Sequence, residues 1–150
     1  MTHEKIRRRG FQGVAASALL AQKTKMALAV GGDHAGFALK GPVIALPDIA
    51  QKVCDEILSK RADRGGILVC GTGAGACIAG NKVKCIRAAL CHDTFSAHQC
   101  MKHDDVNFLC MGAWIIGPKG EILAAYLNAT FSTGEDYRRR VRKLSEMEKR

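Results

Sequence analysis

Gly65-Gly66-Ile67-Leu68-Val69-Cys70-Gly71-Thr72-Gly73-Ala74-Gly75-Ala76-Cys77-Ile78-Ala79-Gly80-Asn81-Lys82 is the stretch on which the reading of this chain turns. The apolar run from Ile67 to Cys70 has strand character. It breaks into a loop containing Gly71, Gly73 and Gly75 and re-emerges as a short helix of small residues ending near Asn81. Alternating glycines let the backbone turn tightly and aim successive N–H groups at one point, where the positive end of a helix dipole favours negative charge. The stretch therefore reads as a strand, an anion cradle and a helix start. Cys70 falls at the strand tip, where the loop amides favour its thiolate. A base or nucleophile beside an anion hole is a catalytic arrangement.

Working outward, Met26 to Gly31 reads as a buried strand closed by Gly31-Gly32-Asp33-His34-Ala35-Gly36, a polar turn that launches a helix at Phe37. In a parallel sheet the carboxyl ends of strands line the ligand crevice, which places Asp33 and His34 as Cys70 is placed. A helix N-cap is an equal alternative for Asp33, and a surface histidine is the alternative for His34. Ile49, Val53 and Ile57 have helical spacing, with Asp48 as N-cap. Two helices thus follow one another with no strand between. Cys85 to Cys91 is a further apolar strand closed by His92-Asp93, and Thr94 caps a helix through Met101. Lys102-His103-Asp104-Asp105 forms a loop to a strand from Asn107 to Met111, and helices follow from Pro118 to about Asn128 and from about Glu135. Strands ending in polar turns and separated by helices predict an α/β chain: a Rossmann-like three-layer α/β/α sandwich with a parallel sheet.

The chain has 150 residues and a formal net charge of +9. Residues 1–25 and 138–150 carry the excess, leaving residues 26–137 close to neutral, and no aromatic residues interleave the basic clusters. That argues against nucleic acid as a partner. No run approaches a membrane span, and the seven cysteines lie scattered in apolar segments, as buried thiols of a reducing cytoplasm do. Residues 1–25 read as an N-terminal extension, with an organellar targeting peptide as the weaker alternative, and residues 26–150 as one domain.

Two rival chemistries fit parts of the pattern. Gly71-x-Gly73-x-x-Ala76, with Asp93 at the end of the next strand, matches the dinucleotide-binding fingerprint of an oxidoreductase. Cys91, His92, His98, Cys100 and His103 would be metal ligands in a third reading, although their spacing fits no common zinc pattern.

Gly32-Asp33-His34-Ala35-Gly36-Phe37 with Leu39-Lys40, Ile67-Leu68-Val69-Cys70-Gly71-Thr72-Gly73-Ala74-Gly75, Asn81-Lys82, Ile86-Arg87-Ala88-Ala89 and His103-Asp104-Asp105-Val106-Asn107 resemble the type B ribose-5-phosphate isomerases and their galactose-6-phosphate isomerase relatives. The resemblance runs in order from about Met26 to Val141. It implies an aldose–ketose isomerisation without metal or cofactor, of ribose 5-phosphate in the pentose phosphate pathway, by a homodimer or higher oligomer with its sites between subunits. Asp33 and His34 would contact the sugar and Cys70 would shuttle a proton between C1 and C2. The amides of Gly71, Thr72, Gly73, Ala74 and Gly75 would hold the enediolate with the Thr72 side chain beside them, and His103 of a second subunit would assist ring opening. Asp104 would contact substrate and Arg140 its phosphate.

The departures are equally specific. The family's second strand, and the loop after it, are missing between Leu46 and Pro47. Asp104 stands for the family's Asn, Trp114 for a phosphate-binding Arg, and Asp136 for the first Arg of a C-terminal pair. Arg138 or Arg139 would compensate for Asp136. The sequence thus predicts a sugar-phosphate isomerase with an altered clamp, weakened or shifted in substrate. A silent relative retained as a partner subunit is the alternative.

Overall fold

The computed structural model describes residues 28–32, 46–60, 62, 64–115 and 119–149, so the expectations for residues 1–27 and for Asp33 and His34 lie outside the described residues. Four strands form one parallel sheet among these residues: β1 (Ala29–Gly32), β2 (Gly66–Cys70), β3 (Ala88–Leu90) and β4 (Phe108–Gly112), in the spatial order β1-β2-β4-β3. Five helices accompany them: α1 (Leu46–Leu58), α2 (Ala74–Gly80), α3 (Thr94–Asp104), α4 (Lys119–Asn128) and α5 (Glu135–Met147).

The central strands β2 and β4 are apolar throughout because both of their faces are covered. Their side chains alternate between two cores. Leu68, Cys70, Phe108 and Cys110 pack with Ala50, Val53, Cys54 and Ile57 of α1 and Ala76 of α2, whereas Ile67, Leu109 and Met111 pack with Ala97 of α3 and Ile122, Leu123 and Tyr126 of α4. This is the expected three-layer α/β/α sandwich. In α1 the buried Ala50, Val53, Cys54 and Ile57 recur with helical period. The helix starts earlier than Asp48 implies: Pro47 occupies the first turn, where its missing N–H costs nothing, and Asp48 supplies a carboxylate there instead of the N-cap.

β3 is shorter than the apolar run from Cys85 to Cys91 suggests. Cys85 adopts a left-handed φ of 67°, and side-chain amides take over the neighbouring backbone groups. Asn107 accepts from the Arg87 N–H (2.8 Å) and donates to the Cys85 carbonyl (2.9 Å), while Asn81 accepts from the Ala88 N–H (3.0 Å) and donates to its carbonyl (2.9 Å). Arg87 then reaches across to Asp105 with an ion pair of 2.6 Å. All seven cysteines are free thiols, four of them buried.

Between sheet and α4, the buried Tyr126 hydroxyl donates to the Val106 carbonyl at 2.9 Å. Burial pushes the phenol well above its ordinary pKa, so it stays a donor at neutral pH. Tyr126→Phe removes that donor and strands the carbonyl. Urea unfolding should register a loss of about 1–2 kcal/mol with an unchanged slope.

Candidate active site

β2 carries Cys70 to the carboxyl end of the sheet, 3% exposed, and the chain then turns through Gly71-Thr72-Gly73 into α2. The Gly73 N–H donates to Cys70 Sγ at 3.0 Å. Gly73 is held at φ +82°, and a β-carbon there would sit 2.4 Å from Cδ1 of Leu90 and 2.9 Å from the Met111 carbonyl carbon. No side chain is tolerated at that point of the turn. The Ala74 N–H faces Thr72 Oγ1 at 3.4 Å, and Thr72 and Ala74 are exposed while Gly71 and Gly73 are buried. Gly75, in the first turn of α2, lies against Leu46 of α1. α2 has only seven residues, so the donors this end of the sheet offers are the turn amides more than a helix dipole.

The neighbouring central strand closes the other side of the turn. After β4, the Ala113 N–H donates to the Cys70 carbonyl at 2.7 Å and the Trp114 N–H to the Gly71 carbonyl at 3.0 Å. The Trp114 ring then lies on Gly71, where a β-carbon would meet it at 2.7 Å, and the residue as a whole is 71% exposed. From beyond β3, His92 Nε2 approaches the Thr72 carbonyl at 3.1 Å; a carbonyl only accepts, so that nitrogen carries the proton. His92 and Trp114 thus both border the turn, whereas the sequence places His92 in a metal set and Trp114 where the family has a phosphate-binding Arg. The position of His92-Asp93 just past an apolar run was the available signal, since that is where a parallel strand delivers residues to the crevice. The described part of β1 ends at Gly32, in register with Val69.

His103, Asp104 and Arg140 form a second group. α3 starts at the cradle end of the sheet and its 11 residues carry the chain back by about 16 Å, so His103 lies towards the opposite end of the sheet from Cys70. It occupies the last turn of α3 rather than a loop; the helix stops only at Asp105, with φ 50°. The cap at the other end also differs from expectation. Asp93, not Thr94, is the N-cap, accepting from the Ser96 N–H at 2.7 Å and its hydroxyl at 2.6 Å, which holds the carboxyl below the usual carboxylate range.

The His103 ring stacks on Tyr137 of α5, with centroids 4.2 Å apart and planes at 5°, and the Arg140 guanidinium lies 5.5 Å from the Tyr137 ring centroid. Asp104 borders a hollow with Arg87 and Leu144. Asp136 pairs with Arg139 at 2.9 Å, Arg142 pairs with Glu135, and Arg138 lies over Phe131. Among the described residues no carboxylate pairs with Arg140. If His103 acts in catalysis, Tyr137→Ala should lower kcat by about 2- to 10-fold at similar KM, the worth of one ring stack, and Tyr137→Phe should restore it; steady-state kinetics of the two variants check this.

The dinucleotide reading fails on topology. In that motif the acidic residue ends the strand beside the glycine loop, but β4 separates β3 from β2, and both Asp93 oxygens are engaged in the cap. The residues of the metal reading are dispersed, with His92 at the cradle and His103 at the far end of α3. Among the described residues no helix is long and apolar enough to cross a membrane.

Fold and site together define a parallel α/β protein with a thiol at a strand tip inside a glycine-rich turn. Comparison with known proteins names its family. The sequence profile described as Ribose/Galactose Isomerase matches residues 44–144. A protein of Listeria innocua named ribose-5-P isomerase B is 36% identical over 132 residues, covering 73% of this chain and 88% of its own. The D-erythrulose-4-phosphate isomerase of Pectobacterium atrosepticum is 46% identical over 90 residues, 59% of each chain. The type B ribose 5-phosphate isomerase of Leishmania infantum superposes with a TM-score of 0.77 at 31% identity, covering 82% of this chain and 96% of that one. The chain belongs to the ribose/galactose isomerase family.

Proposed function

We propose that this chain interconverts ribose 5-phosphate and ribulose 5-phosphate as a homodimer, using neither metal nor cofactor. The observation that carries the reading is the Gly73 N–H on Cys70 Sγ at 3.0 Å, a base seated within the donors that its reaction needs. The Cys70 thiolate takes the proton from C2 of the open-chain aldose. The negative charge passes to the carbonyl oxygen, and the turn amides from Gly71 to Gly75 hold the resulting enediolate. Cys70 then returns the proton to C1, and a proton moves from O2 to O1. The Thr72 hydroxyl stands beside the enediolate.

His103 serves as the acid of ring opening for the site of a second copy, a reading supported by its position towards the other end of the sheet from Cys70 in its own chain. Trp114 and Ile115, 71% and 55% exposed beside the turn, offer that copy apolar surface. Arg140 binds the phosphate, while Arg139 neutralises Asp136 and so removes much of the repulsion that Asp136 would impose.

The test is turnover of ribose 5-phosphate by purified protein with chelator present. Turnover is expected to be undiminished by chelation; folded protein with no turnover sinks the reading. The relative named for erythrulose 4-phosphate, together with Trp114 in the position of a clamp arginine, favours that shorter phosphate as the second substrate to assay. A higher kcat/KM on it would replace ribose 5-phosphate in the reading.

A further inference from the structure

Cys91 follows β3 and is 2% exposed; Cys100 lies in the body of α3, half-buried. Their sulfurs are 3.7 Å apart, with the Cys91 thiol directed at Cys100. The Cys100 thiol directs its own hydrogen to the Ala97 carbonyl at 3.2 Å, which leaves its lone pairs to accept from Cys91. That hydrogen bond lowers the Cys100 pKa and raises that of Cys91. Cys100 also lines a hollow of about 340 Å³, bordered by Asn81, Arg87, Asp104, Leu144 and Met147, whereas Cys91 is enclosed. One cysteine thus borders open space, and the second is buried against it.

We propose that Cys91 and Cys100 form a reversible oxidation site for hydrogen peroxide, with Cys100 attacked first and Cys91 as its resolving partner. The Cys100 thiolate gives an electron pair to one peroxide oxygen, the O–O bond breaks, and Cys100 becomes a sulfenic acid while hydroxide leaves. Cys91 sulfur then attacks Cys100 sulfur, the S–O bond breaks, and the Cys91 proton departs with that oxygen as water. Two thiols have lost two hydrogens, and peroxide has become two waters.

Closure draws the sulfurs from 3.7 Å to about 2.05 Å, and Cys91 is covalently next to His92, whose ring rests on the Thr72 carbonyl of the cradle. Oxidation at this pair therefore displaces the cradle without touching Cys70. Cys77 and Cys110 make a second such pair, in which Cys77 donates to the Ala88 carbonyl (3.4 Å) and a hydrogen bond from Cys110 lowers the Cys77 pKa to about 6; it differs in that Cys110 is held within the central strand β4, whereas Cys91 lies past the end of β3.

The experiment uses the full chain carrying Cys70→Ala, treated with hydrogen peroxide, blocked with N-ethylmaleimide and digested with trypsin. Cys91 and Cys100 fall in one peptide, Ala88–Lys102. That peptide is expected to be two hydrogens lighter than its free-thiol form and to carry no maleimide, whereas protein reduced with dithiothreitol, with or without earlier peroxide, yields the peptide with two maleimides. In Cys91→Ser the reaction stops at a Cys100 sulfenic acid trapped by dimedone, and in Cys100→Ser residue Cys91 stays reduced; Cys91→Ala and Cys100→Ala repeat the pattern should serine impair folding. The His92 ring signals, assigned with His92→Gln, shift on closure. Folded protein whose peptide stays reduced, oxidation confined to Cys77, or first attack at Cys91 overturns the proposal, and an unmoved His92 overturns its link to the cradle. Neither readout depends on the substrate, so failure here is distinct from failure of the isomerase reading.

Discussion

Cys70→Ala should lower kcat on ribose 5-phosphate by about 10²–10⁴-fold while KM changes little, because in the mechanism proposed above the variant loses the base that exchanges a proton with carbon. The turn amides and the residues proposed to bind the sugar and its phosphate remain, so ground-state binding should persist and the loss fall on the chemical step. The substitution is small and the turn is held independently by the Ala113 and Trp114 amides, so its melting temperature should stay near that of the parent protein. Cys70→Ser keeps the shape and a proton-bearing atom of far higher pKa, and it should be nearly as inactive. Activity in either variant within a factor of a few of the parent would remove Cys70 from the mechanism.

Gly73→Ala is expected to have the next largest effect, about a 10²–10³-fold fall in kcat, comparable with losing one anion-hole donor. The new methyl would stand 2.4 Å from Leu90 and 2.9 Å from backbone carbon of Met111, and the φ of +82° would be strained for any L side chain. Leu90 can swing aside; the β4 backbone cannot, so the turn must shift and take the Gly73 N–H off Cys70 Sγ. Ala74→Gly, one residue on, leaves φ free and adds no atoms, and it should retain most activity. If Gly73→Ala were fully active, the cradle would not be organised around this amide, and assays of the two variants side by side decide it.

Much of the fold is legible in the sequence. β2 and β4 announce themselves as short apolar runs, and α1 as a periodic one, because burial on two faces or one imposes those patterns. The turn from Gly71 to Gly75 was legible because few residues but glycine permit it. What was hidden depended on contacts distant in sequence. β3 is trimmed by Asn81 and Asn107, side chains whose capture of backbone groups no periodicity records. Asp93 and Thr94 are both good caps, and Ser96 decides between them by offering an amide and a hydroxyl to one carboxylate. His103 stays helical because the stop signal is the left-handed conformation of Asp105, two residues later, which aspartate permits but does not advertise. His92 meets Thr72 across 20 positions, and Trp114 meets Gly71 only because β4 was inserted between β3 and β2.

Trp114 is the chain's only tryptophan, and its indole lies on the first residue of the turn. Intrinsic fluorescence excited at the red edge of protein absorption is therefore a signal from one place in the molecule. An exposed indole emits at the long-wavelength limit, and a ligand that displaces water from it shifts the emission to the blue. Titrating sugar phosphates against that emission would read occupancy of the cradle directly, in the inactive Cys70→Ala protein as well as in the parent, and so measure affinity where no turnover exists to report it.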